Sequence, residues 1–109
     1  ILVQGVVADK SAIEFFGYAY YVANEDKLQV VSIDGVKPTN ETIESGEYSP
    51  LSRPLYVYAK NESIKNNDAV YDFMKFTLEN AGDMAELTGY VRSPQAKYDE
   101  GLAALEALR

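Results

Sequence analysis

Arg53 stands between Ser52 and Pro54, and a guanidinium held on such a stiffened segment could grip an oxyanion through its planar fork of donors. The plainer alternative, favoured by the residues alone, is an arginine on an exposed connector or beside a carboxylate. Arg92 and Arg109 are weaker candidates, because each falls near a helix end where a cation is simply favourable. Glu41 and Glu44 lie one helical turn apart and could work as an acid–base pair. With 17 acidic residues in the chain, a solvated helix face is the simpler account. Asn24-Glu25-Asp26 offers oxygen ligands but lacks the spacing of a calcium loop. Tyr18, Tyr20, Tyr21, Tyr56 and Tyr58 could stack on a ring-shaped ligand, although tyrosines more often pack sheet surfaces while their hydroxyls reach water. Asn40-Glu41-Thr42 and Asn61-Glu62-Ser63 fit a glycosylation pattern that matters only in a glycosylating compartment.

Composition narrows the chemistry further. The 109 residues contain neither Cys nor His. Thiol catalysis, disulfides and zinc–thiolate sites are therefore excluded within this chain, as is a Ser-His-Asp triad. No catalytic residue, metal ligand or cofactor is assigned. The net charge of −7 disfavours nucleic acid and anionic lipid, which bind largely through Lys and Arg. It does not exclude a small anion, which local dipoles and backbone N–H groups can hold. At 47% apolar and 25% charged, the composition is that of one small globular domain. No apolar run is long enough to span a bilayer. The chain opens on Ile1 and not on methionine, the expectation for a processed product or a fragment.

The elements follow from periodicity and punctuation. Ile1, Val3, Val6 and Val7 predict a short strand around Gly5. Ile13 to Phe16 reads as a short buried strand, and Gly17 to Asn24 as a helical turn packed by Tyr18 and Tyr21. Leu28 to Ile33 is apolar on both faces, which predicts a central strand ended by Asp34-Gly35. Thr39 is a good N-cap for a short helix with Glu41 in its first turn, and Gly46 is a stop. Leu55, Val57 and Ala59 alternate with Tyr56, Tyr58 and Lys60, predicting another strand. Asn66 or Asn67 should cap a helix to Asn80, with Val70, Phe73, Met74, Thr77 and Leu78 as its stripe and Gly82 just beyond. Asp83 to Leu87 reads as one more helical turn. Ser93-Pro94 then starts a last helix, Ser93 as N-cap, whose inner stripe is Tyr98, Leu102, Leu105 and Leu108. Strands mixed with helices in this order give an α/β class. Tyr48 to Pro54, with Ser49-Pro50 and Arg53-Pro54, is the one candidate boundary.

Three segments carry a resemblance. They are Phe15-Phe16-Gly17-Tyr18-Ala19-Tyr20-Tyr21, then Ser32-Ile33-Asp34-Gly35 followed by Pro38-Thr39, then Tyr48-Ser49-Pro50-Leu51-Ser52-Arg53-Pro54-Leu55-Tyr56. In this order and spacing they resemble the C-terminal part of the phosphate-binding proteins of high-affinity phosphate ABC transporters. The match runs from Leu2 to about Lys60 and continues more weakly through Thr88-Gly89-Tyr90-Val91 and Tyr98-Asp99-Glu100-Gly101-Leu102. Glu14 stands where the family has a small residue.

The resemblance implies the C-terminal part of a two-lobed, type II periplasmic-binding-protein-like α/β fold. Residues 1–49 would belong to the second lobe. Residues 50–54 would form the interlobe crossing, with Ser52, Arg53 and Pro54 as its hinge. Residues 55–109 would belong to the first lobe. The implied whole protein captures inorganic phosphate and delivers it to an ABC permease, is not an enzyme, and lies in the periplasm or outside the cell, with or without a membrane anchor. The family holds its anion at a Ser-Gly-Thr turn together with an arginine and an aspartate. The nearest strings here, Ser45-Gly46-Glu47 and Thr88-Gly89-Tyr90, do not match. No phosphate ligand is therefore carried over, and Arg53 stays a weak candidate. Two rival implications are a fragment of a related phosphatase, and a piece that self-associates or pairs with missing lobes through exposed sheet edges.

Overall fold

A computed structural model describes residues 1–109 as six helices joined by extended segments. Helix α1 spans Leu2–Ala8, α2 Tyr18–Val22, α3 Asn40–Glu44, α4 Asn61–Asn66, α5 Asp68–Leu87 and α6 Gln95–Glu106. The segment around Gly5, expected as a strand, is thus helical. Its apolar residues Leu2, Val3, Val6 and Val7 fit a 3.6-residue period as well as a strand run. A helix also closes its backbone bonds locally, beginning with Gly5 N–H to the Ile1 carbonyl at 3.1 Å.

The helical turn expected after Gly17 is α2, in which the Tyr18 and Tyr21 rings lie 5.9 Å apart. The Asn24 side-chain amide donates to the Tyr20 carbonyl and so completes the end of α2. The strand expected over Leu28–Ile33 has no ladder. The backbone is extended there, and its one β-bridge joins Ile33 to Val36 across Asp34-Gly35. Both turn residues have positive φ, 49° and 82°, the conformation that Asp-Gly accepts readily. Helix α3 has the predicted cap. The Thr39 and Thr42 side chains each accept from the other's backbone N–H, a reciprocal capping box. Gly46, at φ 81°, follows its end.

Leu55–Lys60 is likewise extended and carries no strand assignment. Neither backbone nor side chain of Arg53–Ala59 makes a hydrogen bond within the chain. Ile13–Phe16 is extended in the same way. The reason is common to the three segments. A strand is defined by its partner, and these 109 residues place no second strand beside any of them.

Asn67 caps α5, its side-chain oxygen accepting from Ala69 and Val70 N–H. Helix α4 just before it had no signal in the residue pattern. The predicted stop near Asn80 is not where α5 ends, since the helix runs unbroken through Gly82 to Leu87 and turns at Gly89, φ 81°. Gly82 serves another purpose: the Arg92 guanidinium lies so close that an added Cβ would stand 3.1 Å from its Cζ. Ser93 does not cap α6 with its side chain; Pro94 occupies the cap position and the Ser93 N–H donates to the Tyr98 hydroxyl at 2.8 Å. The inner stripe of α6 is as expected, with Leu105 buried and Tyr98, Leu102 and Leu108 half-buried.

The stripe of α5 divides. Met74 and Leu78 are half-buried, and Leu78 meets α6 at Gly101, where an added Cβ would be 3.0 Å from it. Phe73, predicted to be inward, is 65% exposed, and Phe76 is exposed beside it. At the C-terminus, Arg109 donates to Asp68 at 2.6 Å and to the Ile64 carbonyl at 3.2 Å, and its guanidinium lies 4.5 Å from the Tyr71 ring centre. This clamp closes α4, α5 and α6 into the packed part of the molecule, around Ile64 and Leu105, the two fully buried residues.

The rest of the chain is open. Its radius of gyration is 17.8 Å, against about 13 Å for a compact domain of this length. Its accessible surface is 8393 Å², against about 6,000 Å² for a folded monomer of its mass. No helix is long and apolar enough to cross a membrane.

Candidate functional site

The candidate boundary, Tyr48 to Pro54, is a turn fixed at its start. Tyr48 N–H donates to the Thr42 carbonyl at the end of α3, and Ser52 N–H donates back to the Tyr48 carbonyl at 3.1 Å. The Tyr48 hydroxyl reaches the Val31 carbonyl at 3.3 Å, so the turn is pinned to the extended segment before α3. The Ser49–Pro50 peptide is cis. From Arg53 to Ala59 no internal hydrogen bond holds the chain. Ser52 is half-buried, whereas Arg53 and Pro54 are exposed, and Arg53 pairs with no carboxylate. A guanidinium in water with no converging donors beside it has no cradle in which to hold an anion.

The other cations are committed elsewhere. Arg92 donates to Asp83 at 2.7 Å and forms an ion pair with Glu86, also at 2.7 Å, though its Nε–H does not point along that contact. The Glu86 charge, and with it the Asp83 carboxylate, raises the guanidinium above its ordinary value, while desolvation works in the opposite direction. Beside it lies a groove of about 90 Å³ lined by Asn40, Glu44, Glu86, Tyr90, Val91 and Arg92. Two carboxylates face that space, which makes it hostile to a phosphate. A broader hollow of about 400 Å³ along α1, lined by Val3, Gln4, Val7, Ala8, Asn24 and Lys27, contains one ammonium and little else that is charged. Glu41 and Glu44 are both exposed on α3, the solvated arrangement. Asn24, Glu25 and Asp26 form the turn after α2, where Asn24 bonds backbone and not a metal-like cluster.

The contact between the two halves is more informative than any pocket. Gly89, at the end of α5, lies against Ala19 of α2, and a Cβ on Gly89 would stand 2.7 Å from the Ala19 Cβ. Asn40 and Glu44 of α3 face Glu86 and Arg92 across the small groove. Residues of α2 and α3 therefore meet the α5–α6 connector. Nothing in the residue pattern revealed this contact, because Gly89 and Ala19 lie far apart in the sequence.

A family model described as a PBP superfamily domain matches residues 2–81, most of the chain. The chain belongs to the PBP superfamily. Its relatives in that superfamily include the "Phosphate-binding protein PstS" of Staphylococcus haemolyticus, 45% identical over 97% of this chain and 35% of the relative. The protein of the same name from Staphylococcus epidermidis is 44% identical over 96% of this chain and 34% of the relative. A crystal structure described as "a possible phosphate binding protein" from Planctomyces limnophilus superposes with a TM-score of 0.81 at 39% identity, covering 98% of this chain and 40% of that one. The chain thus spans about a third of the length of these PstS relatives. The resemblance read from the aromatic block and the Tyr48–Tyr56 segment is borne out, and so is the assignment to a partial PBP-like fold.

Proposed function

We propose that this chain is the C-terminal part of a solute-binding protein that captures inorganic phosphate and hands it to the permease of an ABC importer. The observation that carries this reading is identity above 40% along nearly the whole chain with phosphate-binding PstS proteins. In this reading residues 1–49 build part of the second lobe, 50–54 cross between lobes with Ser52, Arg53 and Pro54 as the hinge, and 55–109 return to the first lobe. The exposed Arg53-Pro54 pair, which makes no hydrogen bond within the chain, supports a hinge, because backbone rotation there breaks no internal bond. The anion ligands come from the remainder of the protein. The chain supplies wall and hinge and no catalytic group. The site of action is the periplasm or the cell exterior.

The test uses the full-length protein. Calorimetric titration with inorganic phosphate should give one saturable site per molecule, and incubation with a phosphate ester should give no sustained release. Absence of phosphate binding would overturn the reading. Turnover of the ester would replace it with a phosphatase.

A further inference from the structure

The α5–α6 connector bears on α2 through Gly89 and Ala19, and further along it carries a charge cluster that faces α3. Arg92 is the centre of that cluster. It pairs with Asp83 and Glu86, which lie a turn apart on α5, at 2.7 Å each. Its guanidinium rests on Gly82, where a Cβ would stand 3.1 Å from both Cζ and Nη2. A glycine inside a helix is less stable than alanine, and here it makes room for the cation. The Asp83 and Glu86 side chains are 80% and 57% exposed, so solvent weakens both pairs. The Arg92 Nε atom is shielded from water, yet its N–H has no acceptor in line.

Asn40 and Glu44 lie one turn apart on α3 and line the opposite side of the same 90 Å³ groove. Glu44 forms no ion pair of its own. Arg92 is the one cation lining the space, and Glu86 lies beside it. The wall that α3 meets therefore carries one charge of each sign and is neutral. Without Arg92 it would set the Glu86 carboxylate against that of Glu44, with no cation between them.

We infer that Arg92 neutralises one wall of an interlobe groove so that Glu44 can lie against it, and thereby sets the balance between lobe arrangements from outside the anion site. This rests on the bilobal reading above. In that reading α2 and α3 belong to the second lobe, the end of α5 and its connector to the first, and none of the groove residues is an anion ligand. A charge in such a contact acts on phosphate only through the lobes. Apparent affinity scales with the fraction of molecules in the binding-competent arrangement, so a side chain that biases the arrangements changes affinity without touching the ligand. Glu44 and Asn40 are exposed on α3, so their charges can be altered without disturbing a core.

The test uses the full-length protein, with calorimetric titration of inorganic phosphate and small-angle scattering of the unliganded form. Arg92→Gln should shift the phosphate Kd by about threefold or more at low salt. Glu44→Gln added to Arg92→Gln should return it toward the parent value. Arg92→Lys keeps the charge and should bind like the parent, even where it loses stability with the guanidinium fork. Asn40→Asp leaves Arg92 and its packing intact and adds a carboxylate to the groove, so it should shift Kd in the same direction as Arg92→Gln. At about 1 M salt, where screening acts within about 3 Å, these differences should shrink. The radius of gyration from scattering should move with Kd across the series. A shift that Glu44→Gln does not reverse overturns the inference, because Arg92 is then only a structural support. So does a Kd and a radius of gyration unmoved by both Arg92→Gln and Asn40→Asp. A parent that binds no phosphate overturns the proposed function alone, since scattering still reads the lobes.

Discussion

Gly89 at the end of α5 and Ala19 in α2 are in contact so close that a methyl group on Gly89 would lie 2.7 Å from the Ala19 Cβ. Gly89 also has φ 81°, a conformation that L side chains rarely adopt. Gly89→Ala therefore incurs both a strained backbone and an overlap, and it should destabilise by about 2 kcal/mol or more. Gly5 in α1 is the internal control. Nothing lies within 4 Å of a Cβ built there and the backbone is helical, so Gly5→Ala should stabilise by about 0.5–1 kcal/mol. Urea unfolding of the two variants should move the midpoint in opposite directions.

Arg109 ends the chain on three interactions: the Asp68 carboxylate, the Ile64 carbonyl and the Tyr71 ring. The Asp68 side chain is 86% exposed, so the ion pair itself is weakened by solvent. The carbonyl bond and the stacking add to it. Arg109→Ala should cost about 1–2 kcal/mol. Arg109→Lys should recover little, because an ammonium can neither stack as a plane nor serve two acceptors at fixed angles. The readout is thermal unfolding combined with amide exchange at the end of α6, where fraying should increase in both variants.

The parts legible from residues are those whose structure is local. Thr39 with Thr42, Asn67 before Ala69, the Asp34-Gly35 turn and the Leu105 stripe are each closed within a few residues, and each appears as the pattern implies. The strands were not recoverable in the same way. Leu28–Ile33 and Leu55–Lys60 have strand-like residues and extended backbone, yet a ladder needs partners that these residues do not supply. Around Gly5 the apolar spacing served a helix equally well. Gly82 and Phe73 were misread for a different reason, since the local pattern contains neither the approach of Arg92 nor a second apolar side on α5. No Ser-Gly-Thr turn is written in the chain, and Arg53 stands alone in water.

Thr39 tests how far the Tyr48–Ser52 turn depends on α3. Its side chain accepts from Thr42 N–H at 3.2 Å, while the Thr42 hydroxyl donates to the Lys37 carbonyl at 2.6 Å and accepts from Thr39 N–H. The same helix offers the Thr42 carbonyl to Tyr48 N–H, which starts the Tyr48–Ser52 turn. Thr39→Ala should cost about 1 kcal/mol, and Thr39→Ser much less, because the hydroxyl is what caps. Amide exchange should quicken at Tyr48 as well as at Thr42. Quickening at Thr42 alone would show that the turn holds without the helix.

Tyr18 gives the chain a pH dependence on the alkaline side. Partial burial is the main cause that lifts its phenol above the ordinary 10.0, with the Tyr21 and Glu25 charges adding to the effect. The folded state thus holds this proton more tightly than the unfolded chain does. The associated stability is fully present below about pH 10 and falls away as the pH rises through the higher folded value. Ionisation places a phenolate between Tyr21 and Glu25, so α2 should loosen from about pH 10 upward. Absorbance titration near 295 nm should show one late-titrating phenol among the nine, missing in Tyr18→Phe. The same variant should lose less stability between about pH 9 and 11 than the parent, as follows for a group whose proton affinity is higher when folded. A parent and variant that weaken in parallel over that range would place the alkaline sensitivity on another tyrosine.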